Sequence, residues 1–391
     1  MDKLIGALSW IALNWTGLLA VVLTFGFMIF IHELGHFLMA KKVGITVHEF
    51  ALGFGPKLLQ FGKKKKTGPE DEDPAGDEPK ETEYCLRLVP FGGFVSMEGE
   101  DNPGDPDDPG NFNNKSVIDR FKVIVAGCVM NYAAGIILLL LVGFIWGIAL
   151  PNPPAVVGDI ITGKGFPMEN SGIQKGDKIV RVNDTPIENF DQLSTIISPM
   201  TEGQDVQIFV DRKGTVIPFN LKIKYDPQAK RGMLGFAPVQ GFMGFKFEKQ
   251  PPMVIVTETF RKTYMLTIMP AIIVQKLMSR EMTPKQIREG TAGPIGIGQM
   301  LFDISKQGIP SLLYMCAILS ILIGAFNLIP FPALDGARAF FLGIEWIRKK
   351  PLDPAKEGMM HQLGFIVLII LVLIVSYNDV LRLIKGGSLF K

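Results

Sequence analysis

The sequence predicts a multi-pass α-helical membrane protein: four transmembrane helices, an inserted β-rich domain and a membrane-associated β-hairpin. The first observation is the segregation of charge. Although 20% of residues are charged, no Asp, Glu, Lys or Arg occurs between Lys3 and Glu33, Lys122 and Asp159, Lys306 and Asp335, or Glu357 and Asp379. Each gap holds roughly twenty mostly apolar residues, which is what a helix needs to cross a hydrocarbon core of about 30 Å. The second observation is the texture between the second and third gaps, where short alternating strands and turns replace the apolar runs. With 391 residues, the chain has room for two or three such units.

The four spans fall at approximately Leu13–Ala40, Val123–Leu150, Leu312–Ile329 and Leu363–Ser376. They lie in segments 1–40, 120–151, 310–350 and 351–391. The first run is longer than the apolar core of a signal peptide, and no small-residue cleavage site follows it, so a retained helix is expected rather than a removed leader. Segment 41–119 holds two polar stretches, Gly62–Glu83 and Glu98–Asn114, that read as solvated loops. Between them, residues 84–97 are strand-forming and broken by a Pro-Phe-Gly-Gly turn, which predicts a hairpin against the membrane.

Segment 152–240 predicts the β-rich domain: Val206, Ile208 and Val210 alternate with polar residues, Arg212-Lys213-Gly214 makes a turn, and Asn189–Ser198 has helical spacing. Segment 241–309 is amphipathic. Its apolar stretch Tyr264–Val274, interrupted by Pro270, is too short to span, so it lies at the interface, re-enters, or packs as a helix on the β-rich domain.

A net charge of +2 by itself says nothing about nucleic acid, and no nucleic-acid partner is expected. The basic residues are nevertheless placed unevenly. Lys41, Lys42 and Lys63–Lys66 follow the first span, and Arg338, Arg348, Lys349, Lys350 and Lys356 lie between the third and fourth, whereas only Lys3 precedes the first. By the positive-inside rule both clusters are cytoplasmic, and both termini and the β-rich domain are extracytoplasmic. Cys85, Cys128 and Cys316 form neither a disulfide framework nor a CxxC pair.

The chemistry begins at His32-Glu33-Leu34-Gly35-His36, which fits H-E-x-x-H. Residues four apart share a helix face, so both imidazoles can reach one ion while Glu33 sits beside its bound water. Zinc lowers that water's pKa toward about 7 and polarises a carbonyl, and the carboxylate can carry the proton to the leaving amine. Such a five-residue match arises by composition roughly once in a hundred chains of this length. At the end of a membrane helix, however, an ionisable cluster is costly and points to function.

The third ligand must come from elsewhere. Asp335, in Asn327-Leu-Ile-Pro-Phe-Pro-Ala-Leu-Asp-Gly336, follows the third span on the same side as the end of the first. Pro330 and Pro332 break the helix there, and Asp335 is either a helix cap or, by its level with the first motif, a ligand. His48 and His361 read as polar or interfacial residues.

Together, H-E-x-x-H and N-x-x-P-x-P-x-L-D-G in a four-span chain resemble the site-2 protease family of M50 zinc metalloproteases. Gly172-Ile-Gln-Lys-Gly-Asp-Lys-Ile-Val-Arg-Val-Asn-Asp184, preceded by Pro167, resembles the core of a PDZ domain, which is similar to the family's bacterial RseP/RasP branch. PDZ domains bind peptide ends by strand addition; a rigid plug or spacer is the plainer alternative.

The resemblance implies a single catalytic Zn2+ on His32, His36 and Asp335, with Glu33 as base. It implies substrate contacts at Asn327, Asn131, Pro330 and Pro332, and along a membrane-dipping strand containing Val89, Gly92, Gly93, Phe94 and Val95. Gly293-Pro-Ile-Gly-Ile297 is a further family-like patch, read as a turn. It also implies regulated intramembrane proteolysis of single-pass membrane proteins in the bacterial inner membrane: anti-sigma factors after a first cut, and remnant signal peptides. One departure stands out, because Gly127-Cys-Val-Met-Asn131 carries Cys128 where the family has Pro. Two readings of another class are a zinc-binding pseudoprotease or PDZ scaffold, and a zinc transporter.

Overall fold

Each charge-free run contains one long helix in the computed structural model, which describes residues 2–62, 82–100, 105, 107–151, 155–163, 165–227, 231–238, 244–279, 281, 292–350 and 354–384. Among the described residues, four helices are long and apolar enough to cross a membrane, judged by length and composition: Asn14–Val43, Val117–Ile145, Ile309–Asn327 and Lys356–Leu381. The polar stretch read over Gly62–Glu83 lies outside the described residues from 63 to 81, as do residues 282–291 of the linker and the tail from 385.

The chain divides into two compact units. The first comprises residues 1–145, 250–290 and 312–374. It contains α1 (Asp2–Val43), β1 (Val47–Phe61), β2 (Glu83–Met97), α2 (Val117–Ile145) and α4 (Pro252–Met278). It also holds most of α6 (Ile309–Asn327), all of α7 (Asp335–Arg348) and the first part of α8 (Pro354–Ile384).

Without a hydrophobic drive between helices in lipid, close backbone approach through small residues holds such a bundle. A Cβ on Gly35 of α1 would lie 2.3 Å from Ala126 O of α2, and one on Gly135 of α2 would lie 2.9 Å from Ala317 O of α6. Ser320 Oγ donates to Asn131 O across 2.9 Å, joining α6 to α2 where no water competes. Beyond the apolar spans, Ala40, Val47, Phe50, Val95, Val123 and Leu342 form one core that seats the strands on α1, α2 and α7. Arg120–Glu345 and Arg338–Glu100 ion pairs tie α7 to α2 and to the segment after β2.

The strands differ from the hairpin expected within 84–97. β2 runs through that whole stretch, and its partner is β1. Both strands bend at glycines with positive φ, Gly53 and Gly55 in β1 and Gly92 in β2, so the two meet twice. Phe50 faces Val95 on one side and Tyr84 on the other. The sequence signal for β1 was weak because its second half is apolar without alternation; Phe54, Leu58, Leu59 and Phe61 are all exposed.

The second unit comprises residues 146–249, 291–311 and 375–391. α2 ends earlier than the expected Leu150: Gly147 takes φ +117°, and residues 148–151 form β3, paired antiparallel with β12 (Phe245–Glu248). The β-rich segment builds an antiparallel sheet in the order β6-β5-β7-β8, from Thr185–Pro186, Lys178–Val182, Asp205–Arg212 and Thr215–Lys222. Short pairs β4/β11 (Val157–Ile160, Phe236–Pro238) and β9/β10 (Lys224–Asp226, Arg231–Met233) accompany it. The inward set Val206, Ile208 and Val210 packs with Ile179, Met168, Leu193 of α3 (Phe190–Ile197) and Ile223, as the alternation demands.

Asp177, almost fully buried, accepts from Arg212 at 2.7 and 2.8 Å and from Gln174 N–H at 2.9 Å. Of the linker, Pro252–Met278 is a single helix with Pro270 inside it. The Gly293-Pro-Ile-Gly patch starts helix α5 (Pro294–Ser305) rather than making a free turn. Asp379 Oδ2 accepts from Gly296 N–H at 2.9 Å in that helix's first turn.

Candidate metal centre

Helical spacing does at the end of α1 what the motif requires. The His32 and His36 rings stand 4.8 Å apart, edge to face at 81°. Asp335, the first residue of α7, lies where an acidic side chain also suits the helix N-terminus. Its Oδ2 is 3.1 Å from His32 Nε2 and 3.4 Å from His36 Nε2, and the two Nε2 atoms are 3.3 Å apart. Zinc bonds of about 2.0–2.1 Å at tetrahedral angles separate neighbouring ligand atoms by roughly 3.3–3.4 Å, so the triangle fits a zinc ion.

The surroundings orient the rings. His36 Nδ1 donates to the Val123 carbonyl at 2.9 Å, which leaves the Nε2 lone pair facing the triangle. His32 Nδ1 lies 3.2 Å from the Asn131 amide nitrogen, and Asn131 Oδ1 is buried with no partner among the described residues. Turning that amide over gives His32 Nδ1–H an acceptor and frees its Nε2 in the same way. Close approach of α2 is made possible by Gly127, where a Cβ would lie 2.3 Å from His36 Nε2 and 2.8 Å from His32 Cε1. Cys128 Sγ is 3.8 Å from Asp335 Oδ2, beside the triangle and outside it.

The other residues singled out from the sequence are distributed around this centre. A Cβ on Gly93 would lie 3.1 Å from Glu33 Cγ, so β2 passes directly over Glu33. Val95 is buried in the core, Val89 is exposed, and Phe94 lies under the Arg87 guanidinium at 5.2 Å. The edge of 93–97 away from β1 is paired with no strand among the described residues. Asn131 is fully buried against His32. Asn327 ends α6, Pro330 borders a cavity of about 740 Å³ shared with Tyr132, Thr267 and Val274, and Pro332 packs on α8 at Gly364. Gly35, Gly127 and the Val123 carbonyl were not found by sequence reasoning; a glycine beside a metal motif was the one available signal.

A second group among the described residues, Glu49, Glu83 and Cys85, could also reach one ion. Its charges are already met: Arg87 pairs with Glu49 at 2.6 Å, and Lys57 pairs with Glu83. Burial, then the Glu83 carboxylate, pushes the Cys85 thiol up to about 12.

Apolar helices of spanning length around a His-His-Asp triangle with an adjacent Glu define a membrane zinc metalloprotease. The chain belongs to peptidase family M50, whose family model matches residues 20–68 and 75–371. It is 31% identical to a protein of Clostridium acetobutylicum provisionally named a zinc metalloprotease, over 94% of this chain and 98% of that one. It is 28% identical to the zinc metalloprotease RasP of Oceanobacillus iheyensis, with 94% and 99% covered. It is also 28% identical to the regulator of sigma-W protease RasP of Bacillus subtilis, with 93% and 98% covered.

Proposed function

We propose that this chain is an intramembrane endopeptidase that cuts the transmembrane segments of single-pass membrane proteins, with His32, His36 and Asp335 as zinc ligands and Glu33 as general base. The observation that carries the reading is the ligand triangle, with edges of 3.1–3.4 Å, formed at the end of one apolar helix and just beyond another. Zinc in such a site supplies Lewis-acid polarisation of the scissile carbonyl and a bound water acidic enough to attack at neutral pH.

Glu33 then takes the proton from the attacking water and returns it to the leaving amine, so that a neutral amine departs. An intact helix shields its peptide bonds, and a substrate must first unwind. The free edge of 93–97, passing over Glu33, offers main-chain pairing to the unwound segment and compensates the groups it frees.

Basic residues after α1 and around α7 support an orientation with the site near the cytoplasmic face and with the termini and β-rich domain outside the bacterial inner membrane. The β-rich unit reads as a PDZ-like domain that binds trimmed peptide ends or filters substrates by size. Its groove beside α3, lined by Leu193, Ile197, Met233 and Phe236, supports the first role. The sigma-W regulator name of the Bacillus subtilis relative supports a substrate that controls a sigma factor, and anti-sigma factors already cut once, with remnant signal peptides, are the substrates the family resemblance implies.

The test compares wild type with Glu33→Gln in detergent on a model transmembrane peptide, with and without a zinc chelator. Cleavage by wild type alone, abolished by the chelator, is the expected result. Equal cleavage by both proteins ends the protease reading, and zinc retained by a wild type that cleaves nothing favours a zinc-binding scaffold.

A further inference from the structure

The loop between α6 and α7 leads directly into Asp335, and every main-chain donor from Leu328 to Leu334 is accounted for: Leu328 and Ile329 N–H bond back to Gly324 O and Phe326 O at 3.3 and 3.0 Å. Pro330 and Pro332 have none. Phe331 N–H bonds to Ile329 O at 2.7 Å and Leu334 N–H to Phe331 O at 3.0 Å, both within the loop. The remaining donor, Ala333 N–H, bonds to His361 Nδ1 of α8 at 3.2 Å. Ala333 has φ +86°, a left-handed conformation that a residue with a Cβ rarely adopts and that persists only when its surroundings impose it.

Helix α8 imposes it at two points. Its backbone reaches the loop at Gly364, where a Cβ would lie 2.3 Å from Pro332 Cβ and 2.4 Å from Pro332 O. One helical turn earlier, His361 is fixed edge to face on Phe341 of α7, with ring centres 5.8 Å apart. Because an amide N–H can only donate, Nδ1 must present its lone pair.

We infer that His361 is a positioning residue for the metal centre: by holding Ala333 N–H it fixes the left-handed backbone that aims Asp335 at His32 and His36. The inference rests on Asp335 being a zinc ligand. His361 itself is no ligand, since its bond goes to the loop and not to the triangle. Asn places an acceptor oxygen where His has Nδ1, so His361→Asn preserves the contact, whereas His361→Leu removes it at similar bulk. Glycine adopts positive φ freely, so Ala333→Gly removes the need for the anchor.

Zinc affinity is measured by chelator competition on the full chain in detergent, for wild type, Asp335→Ala, His361→Leu, His361→Asn, Gly364→Ala and the double variant His361→Leu/Ala333→Gly. The expected loss for His361→Leu is about 10–100-fold, the range seen when groups behind metal ligands are removed. His361→Asn stays within about threefold of wild type, and the double variant recovers most of the loss. Gly364→Ala, which pushes on Pro332 without altering the His361 side chain, weakens zinc in the same direction.

Wild-type affinity in both His361→Leu and Gly364→Ala overturns the inference. So does a loss in His361→Leu that His361→Asn and Ala333→Gly both fail to restore. An Asp335→Ala protein that keeps its zinc instead removes Asp335 from the ligand set, a separate failure that the same series identifies.

Discussion

Gly127→Ala is the smallest change that should disable the centre, because it adds one methyl group and alters no ligand. A Cβ at this position would stand 2.3 Å from His36 Nε2 and 2.8 Å from His32 Cε1. An ordinary contact needs about 3.5 Å, so the His36 nitrogen must retreat by roughly 1 Å or α2 must move away by as much. His36 has little freedom to retreat, since its Nδ1 is bonded to Val123 O on the same helix as Gly127. Nor can α2 back away without losing the approach at Gly35, where a Cβ would already be 2.3 Å from Ala126 O.

Overpacking of this kind costs about 1–3 kcal/mol, and a misplacement of about 1 Å at a reacting centre costs roughly 100-fold in rate. The assay is turnover of a transmembrane peptide alongside zinc bound per chain. Gly127→Ala should fold, lose zinc to a weaker chelator than wild type does, and cleave about 100-fold more slowly. Full zinc occupancy with wild-type turnover would refute the account of how α2 shapes the site.

Further outcomes are expected elsewhere. Glu33→Gln should retain zinc while losing about 100- to 10,000-fold in turnover, the range for a positioned acid–base group. In the β-rich unit, burial pushes the Asp177 carboxyl up, but the bonds from Arg212 and Gln174 N–H outweigh it and hold the group below its ordinary 3.8. Its folded-state value is therefore depressed, so the stability it contributes is present above about pH 4 and is lost as pH falls further. Urea unfolding of the full chain, followed by hydrogen exchange in β5 and β7, should show an earlier midpoint at pH 3 than at pH 7. Arg212→Ala should lower stability at pH 7 and flatten that difference, because it leaves the buried Asp177 carboxylate without its charge partner. Asp379→Ala deletes the acceptor for Gly296 N–H, and amide exchange across 294–305 should rise about 10-fold, while Asp379→Asn should change little.

The helices were legible because lipid leaves the backbone no other partner, and their charge-free runs are unambiguous. His32 and His36 were legible because four residues make one helical turn, and Asp335 because topology placed two span ends on one side. Less legible was whatever depends on how closely elements approach. β1 has no alternation in its exposed half, so its pairing with β2 through bends at Gly53, Gly55 and Gly92 could not be read from pattern. Gly147 ended α2 early because β12 waited for residues 148–151, a partner nearly a hundred positions away. Pro270, which suggested an interruption, lies inside one continuous helix. His361 read as an interfacial residue, since nothing local reveals that Ala333 needs an acceptor.

The central claim is that His32, His36 and Asp335 hold one zinc ion. X-ray absorption at the zinc edge of the purified protein tests it directly. Two imidazole nitrogens and one or two oxygens at about 2.0–2.2 Å, with an imidazole lost in His36→Ala and an oxygen in Asp335→Ala, is the predicted result. A sulfur at about 2.3 Å, or a spectrum unchanged by both substitutions, would contradict it.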